Sequence, residues 1–308
     1  MRLSTIRTDR GPRLALLDGG LAVDLAGALD ATGERIAALD APAGAGDPAN
    51  VLALLRAWDD ALPALERAGA QVGALVRSGS LQPSDAQLGP CVPRPGKIVC
   101  VGLNYADHAR ETGQPVPKSP VLFSKWASCV VGPTDDVVRP LGCTDLDYEA
   151  ELGVVIGRTA RHVPVESALG VVAGYCCAND VSARGAQLGD GQWVRGKSFD
   201  TFCPLGPLVS AGEVPDPQAL GIGCRVDGEV RQDSSTAQMV FGVAELIAFC
   251  SRSFTLEPGD VILTGTPPGV ALGHDPAPWL QPGQLCEVWI DGLGTLGNRI
   301  VDESAVRA

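Results

Sequence analysis

The run Thr144-Asp145-Leu146-Asp147-Tyr148-Glu149-Ala150-Glu151-Leu152-Gly153-Val154-Val155-Ile156 decides how this chain folds. Acidic residues fill alternate positions 145, 147, 149 and 151, and an apolar run follows from Leu152 to Ile156. A period of two belongs to a β-strand, whose alternate side chains share one face. The pattern predicts a strand over 149–157 that enters a core with Glu149 and Glu151 pointing the same way. Two partly desolvated carboxylates so placed repel each other, which raises a pKa unless a cation sits between them. A hard divalent cation is the simplest remedy. Asp180 follows the apolar run Val171 to Cys177, where a second buried strand would end, and offers a third oxygen. Three carboxylates with no neighbouring His or Cys suit Mg²⁺, Mn²⁺ or Ca²⁺ rather than zinc. The competing reading is a solvated acidic face answered by surface arginines.

Outward from this run the chain is rich in short β-type segments broken by Gly, Pro and Asp. Strands are predicted over 98–102, 121–125, 223–230, 261–265 and 285–290, with hairpin turns at Asp227-Gly228 and Asp291-Gly292. Helical periodicity covers 239–250 and ends before Arg252. The N-terminal residues read as a smaller α/β unit over 1–78. It contains extended pieces at 2–8 and 13–23, a turn at Asp18-Gly19-Gly20, and a helix whose face carries Val51, Leu52, Leu54, Leu55, Trp58, Leu62 and Leu65. Pro63 is expected to kink or divide that helix. Residues 79–96, with four prolines between Pro83 and Pro95, read as a linker, and 97–308 as the strand-dominated domain.

His108 lies just past a predicted buried strand, in Gly102-Leu103-Asn104-Tyr105-Ala106-Asp107-His108-Ala109-Arg110-Glu111. On a short helix His108 and Glu111 share a face, a spacing that suits a general base and the carboxylate that fixes its tautomer. An incidental surface His–Glu pair has the same spacing. Residues Gly113 to Pro120 carry three prolines and are expected to form a mobile lid. His162 receives no role, His274 lies in a Gly/Pro-rich loop within reach of a strand-end site but reads first as a surface residue, and no G-x-S-x-G motif marks a serine hydrolase.

Gly191-Gln192-Trp193-Val194-Arg195-Gly196-Lys197-Ser198 matches the phosphate-loop pattern letter for letter. That loop requires a strand before it and a helix directly after, yet Phe199 to Pro207 is aromatic, β-branched and proline-punctuated. An NTPase reading therefore ranks last. Lys197 is better read as a cation facing the acidic site, placed to hold a substrate carboxylate or a developing oxyanion.

Composition narrows the function classes. With 24 basic and 36 acidic residues and a net charge of -12, the molecular field repels phosphate backbones and anionic lipid surfaces, so neither nucleic acid nor membrane is expected as a partner. No stretch approaches the length of a membrane span, and Met1 to Leu17 lacks a signal-peptide core, so a cytoplasmic protein is expected. The ten cysteines form no C-x-x-C pair and read as reduced small hydrophobes.

Taken together, G-L-N-Y-A-D-H-A-R-E (102–111), D-Y-E-A-E-L (147–152), N-D-V-S-A-R (179–184), R-G-K-S-F-D (195–200) and T-G-T-P-P-G-V (264–270) resemble the fumarylacetoacetate hydrolase superfamily. The resemblance is nearest to bacterial acylpyruvate hydrolases and 2-hydroxyhepta-2,4-diene-1,7-dioate isomerases. It implies a β-rich α+β fold, a mixed β-sandwich roll, and one divalent cation held by Glu149, Glu151 and Asp180. It further implies catalysis by His108, Glu111 and Lys197, a substrate pocket lined by Arg184, Gln187 and Thr266, and a homodimer. The activity implied is metal-dependent hydrolysis of a carbon–carbon bond in a small-molecule 1,3-dicarbonyl acid by His-activated water. Isomerisation or oxaloacetate-type decarboxylation on the same site is the alternative. Family members usually carry Asp after the arginine of N-D-V-S-A-R; Gly185 stands there in this chain, which removes a charged neighbour of the pocket.

Overall fold

A computed structural model describes residues 1–9, 11–39, 49–111 and 115–306, with the backbone alone described at 49, 50, 108, 109, 111 and 306. The acidic run forms the strand Ala150–Ile156, every residue of which is buried. It lies inside a ten-stranded sheet. From one edge the order runs Leu21–Asp24, Gly11–Asp18, Arg2–Thr8, Leu208–Ser210, Val172–Asn179, Ala150–Ile156, Val261–Leu263, Ile98–Gly102 and Val121–Lys125, and the short strand Leu88–Gly89 pairs with Arg2–Thr8. Neighbours are antiparallel except Val261–Leu263 beside Ile98–Gly102, which makes the sheet mixed. A five-stranded sheet, ordered Glu229–Ser235, Gly221–Val226, Leu285–Ile290, Gly294–Asp302 and Val137–Arg139, packs against the central strands and closes a sandwich. The β-rich α+β architecture and the roll are those expected.

The N-terminal strands are hydrogen-bonded onto this same sheet through Arg2–Thr8 and Leu208–Ser210. The Asp18-Gly19-Gly20 turn joins Gly11–Asp18 to Leu21–Asp24. The helix Trp58–Arg77 packs its apolar stripe of Trp58, Ala61, Ala64, Leu65, Ala68 and Val72 over the strand Gly11–Asp18. Two boundaries differ from the expectation. The helix break falls at Ala57, between Ala49–Arg56 and Trp58–Arg77, and Pro63 is carried inside the second helix. Pro63 and Asp59, whose carbonyl loses its partner, are both exposed, so water can serve that oxygen. The later helix spans Val243–Ser253 rather than 239–250. Backbone at 239–241 is claimed elsewhere: Val240 N–H donates to the Asn104 carbonyl and Phe241 N–H to Asn104 Oδ1, while the Glu245 carboxylate accepts from the Gly242 N–H and starts the helix there.

Hairpin turns fall where Asp-Gly pairs predicted them, with both Asp227 (φ 50°) and Gly228 (φ 83°) left-handed. At Gly174 the sheet depends on a missing side chain. A Cβ there would lie 2.2 Å from the Val209 carbonyl oxygen and 2.9 Å from Leu208 Cγ, at the seam that joins the N-terminal strands to the central ones. Gly174→Ala is therefore expected to cost about 1–3 kcal/mol through overpacking. A urea midpoint that falls at constant slope checks this, and an unchanged midpoint would mean the seam is looser than described.

Candidate metal and substrate site

Sheet register assembles the acidic centre. Ala150 pairs with Asn179, so Glu149 and Asp180 are the next residues outward on adjacent strands, and the Asp180 N–H donates to the Glu149 carbonyl at 2.9 Å. Glu149 and Glu151 share a face by alternation. One ligand oxygen from each of Glu149, Glu151 and Asp180 lies within 4.8 Å of the others, and all three residues are buried. The donor set is hard oxygen throughout, which fits Mg²⁺, Mn²⁺ or Ca²⁺. These carboxylates are not a solvated face.

Cations close in from other elements. Lys197 Nζ donates to Glu149 Oε2 at 2.7 Å and Asp180 Oδ2 at 2.8 Å, with the Phe123 ring centroid 5.2 Å away. Arg184 donates from Nε to Asp147 Oδ2 at 2.8 Å and from Nη1 to Gln187 Oε1 at 2.9 Å, and its Nη2 lies 2.7 Å from Glu149 Oε1. Thr266 Oγ1 accepts from Gln232 Nε2 at 2.8 Å, next to Gly265, whose N–H donates to Glu151 Oε2 at 2.8 Å. The sequence-predicted Arg184 and Lys197 thus converge on the acids, and Gln187 and Thr266 stand one hydrogen bond further out. His108 and Glu111 fall on the helix Ala106–Glu111 as expected, but their side chains lie outside the described residues. The expected lid over 113–120 also falls partly outside them, at 113 and 114.

Three participants went unread in the sequence. Lys125, fully buried, donates from Nζ to Asp180 Oδ1 at 2.6 Å and to the Val181 carbonyl at 3.2 Å. Asp147 anchors Arg184 and also accepts from the N–H groups of Tyr148, Ala271 and Leu272. Gln232 ties the Ala150 N–H to Thr266. The letters of the phosphate-loop motif have another origin. Lys197 ends the short helix Val194–Lys197 instead of preceding one, and Gly196 is required because a Cβ would lie 2.3 Å from the Gln187 backbone nitrogen. At Gly185, where the family's usual Asp is missing, another acid comes near the backbone. The Asp145 carboxylate reaches its backbone, Oδ2 accepting from the Gly185 N–H at 2.8 Å.

Electrostatics separates the two neighbouring glutamates. Burial by itself would raise Glu149, but Lys197 and Arg184 outweigh it and hold the carboxyl below its ordinary range. Glu151 is pushed well up, first by burial and then by Asp180 and Glu149. Lys125 is held above its ordinary value because Asp180 more than offsets burial. Among the described residues, four buried carboxylates (Asp147, Glu149, Glu151 and Asp180) meet three buried cations (Lys125, Arg184 and Lys197) here. The surplus acid is Glu151, and a dication is its natural counter-charge.

Residues 97–301 match the family described as fumarylacetoacetate (FAA) hydrolase C-terminal. The mitochondrial oxaloacetate tautomerase FAHD2A of Bos taurus is 51% identical over 213 residues, which cover 68% of this chain and 68% of that protein. The structure of fumarylacetoacetate hydrolase from psychrophilic Exiguobacterium antarcticum superposes with a TM-score of 0.77 at 32% identity, covering 98% of this chain and 100% of that one. Maleylpyruvate hydrolase from Sphingobium sp. SYK-6, in complex with manganese(II) ion and pyruvate, gives 0.75 at 30% identity, covering 98% and 99%.

The raised Glu151 makes the metal-free protein sensitive to pH. Its folded pKa exceeds the unfolded value of 4.5, so its destabilising effect is absent below 4.5, grows as pH rises, and is complete above the folded pKa. Glu151→Gln is therefore expected to raise the melting temperature of chelator-treated protein at pH 8 by about 1–2 °C, the shift that ~1 kcal/mol produces in a chain of this length. The gain should shrink steadily on acidification. With Mn²⁺ in excess the order should reverse, since the variant loses a ligand. Thermal scans across pH check both, and a gain independent of pH would contradict the assignment.

Proposed function

The chain belongs to the fumarylacetoacetate hydrolase family, and from that premise we propose that it is a metal-dependent hydrolase cleaving a carbon–carbon bond of a 1,3-dicarbonyl acid, an acylpyruvate or related 2,4-dioxo acid. The observation that carries the proposal is the buried Glu149, Glu151, Asp180 triad with Lys197 and Arg184 against it. Glu149, Glu151 and Asp180 would hold Mg²⁺ or Mn²⁺, with Ca²⁺ a third choice, and the ion would supply the positive charge that polarises a carbonyl. A dication converts the site's single surplus negative charge into a single positive one, the complement of an anionic substrate. Manganese and pyruvate together in the maleylpyruvate hydrolase structure support the same pairing of dication and 2-oxo acid.

The chain's own residues do the rest. Lys197 holds a buried ammonium that offsets negative charge developing on the carbonyl oxygen. Arg184, Gln187 and Thr266 orient the acid. The helix Ala106–Glu111 sets His108 and Glu111 three residues apart on one face, where His108 takes a proton from water and Glu111 fixes its tautomer. The water oxygen bonds to the carbonyl carbon, the adjacent carbon–carbon bond breaks with its electron pair leaving as the enolate, and that carbon takes up the proton that His108 removed from water. The protein works as a cytoplasmic homodimer, with 1–78 as an appended N-terminal unit and 97–308 as the catalytic one.

A second reading, keto–enol tautomerisation of an oxaloacetate-like acid, is favoured by the 51% identity to the bovine tautomerase. In that reaction His108 moves a proton to and from carbon and no water attacks. Turnover of acylpyruvates in H₂¹⁸O with Mn²⁺ separates the two, since hydrolysis places label in the product carboxylate. Accelerated enolisation of oxaloacetate without labelled acid from any acylpyruvate would remove the hydrolase reading. Glu149→Ala is expected to abolish either activity, and His108→Ala to slow hydrolysis about 10²–10⁴-fold. Sedimentation at twice the chain mass checks the dimer.

A further inference from the structure

The helix Arg184–Gly189 presents both Arg184 and Gln187, yet its own N-cap residue, Ala183, has no side chain able to accept from the first-turn N–H groups. Asp145 supplies that acceptor from another part of the chain. Its Oδ2 accepts from the Gly185 N–H at 2.8 Å, and its carbonyl accepts from the Arg184 N–H at 3.2 Å. The aim is set by a two-stranded ribbon, in which Leu146–Asp147 pairs with Ser182–Ala183 and Leu146 faces Ala183, so Asp145 arrives at the helix start. Gly185 is the other half of the arrangement. A Cβ at that position would lie 2.6 Å from Asp145 Oδ2, too close for the carboxylate tip to keep its place. Beyond the backbone, Asp147 and Glu149 of the same run clamp the Arg184 guanidinium.

We infer that Asp145 is a positioning residue. Through the Gly185 N–H it fixes the first turn of the helix, and thereby the placement of Arg184 and Gln187 toward the substrate anion. Asp145 and Gly185 act as one matched pair, because the carboxylate serves only where position 185 has no side chain. The inference rests on the reading of Arg184 and Gln187 as substrate contacts.

The test uses the full-length, Mn²⁺-loaded protein, with oxalate as the probe for the carboxylate and 2-oxo group of a 2-oxo acid. By calorimetry, Asp145→Ala is expected to weaken oxalate about tenfold, the scale of a lost helix cap, with Mn²⁺ affinity unchanged. Asp145→Asn keeps an acceptor oxygen and should retain near-original oxalate affinity. Gly185→Ala should reproduce the Asp145→Ala loss, and the double variant should be no weaker than either single one. Multiplying losses in the double variant, or unaltered oxalate binding in both single variants, would overturn the pairing. Failure of the original protein to bind oxalate would instead count against the substrate reading. Amide exchange at 184–187 in metal-free protein then decides the contact by itself: faster in Asp145→Ala and Gly185→Ala but not in Asp145→Asn, or else the contact is refuted.

Discussion

Everything at this site depends on keeping four carboxylates ionisable inside a protein interior. Moving an ion out of water costs several kcal/mol even after relaxation, so each buried charge needs a partner in good geometry. Asp180 has two: Lys125 on Oδ1 and Lys197 on Oδ2. Asp147 has Arg184 and three backbone N–H groups, and Glu149 has Lys197 and Arg184. Glu151 has the Gly265 N–H and no ion pair among the described residues. One carboxylate is thus left underserved next to three that are fully served, an asymmetry that suits the centre to a dication.

The sheet makes that arrangement rigid. Glu149 and Asp180 flank the Ala150–Asn179 pair at the end of the two most buried strands, and Gly153 pairs with Leu263 so that the following Gly265 reaches Glu151. A slip of one residue in either register would turn every one of these side chains to the opposite face. The cations come from outside the central pair, from the edge strand Val121–Lys125 and the short helices Arg184–Gly189 and Val194–Lys197. Acids on the scaffold and cations on the periphery is the division of labour that a site preorganised for an ion requires.

The part legible in sequence was the part with local periodicity. Alternation at 145, 147, 149 and 151 gave a strand and a shared face, and the end of an apolar run gave Asp180. Lys125 was invisible because a lone lysine ending Val-Leu-Phe-Ser-Lys reads as the solvated tip of an edge strand; its partner lies 55 residues away. Asp147 was visible as an acid but not as the anchor of Arg184, and nothing local marks Gln232. The helix start at Val243 was missed for a related reason, since a distant side chain, Asn104, competes for the backbone at 241. In the opposite direction, the phosphate-loop letters arose from two unrelated needs, a left-handed Gly191 (φ 69°) and a Gly196 packed on Gln187.

The acidic centre does not by itself choose a reaction. Holding a 2-oxo acid on a dication and offsetting negative charge on its oxygen serves water attack and proton relocation alike, and proteins similar to this chain are named for both. What distinguishes the outcomes is the timing of one proton, taken either from water or from carbon, and that is decided by where a base stands relative to the bound acid. The proposed base belongs to the helix Ala106–Glu111, which follows the strand Ile98–Gly102, and the proposed substrate contacts to the helix Arg184–Gly189, which follows the ribbon Ser182–Ala183. Both helices are short, six residues each. Polar contacts help to aim them, Ser234 Oγ to Asp107 Oδ2 on one and Gly185 N–H to Asp145 on the other. An interior of paired buried charges is thus compatible with more than one chemistry, the choice lying in the elements that surround it.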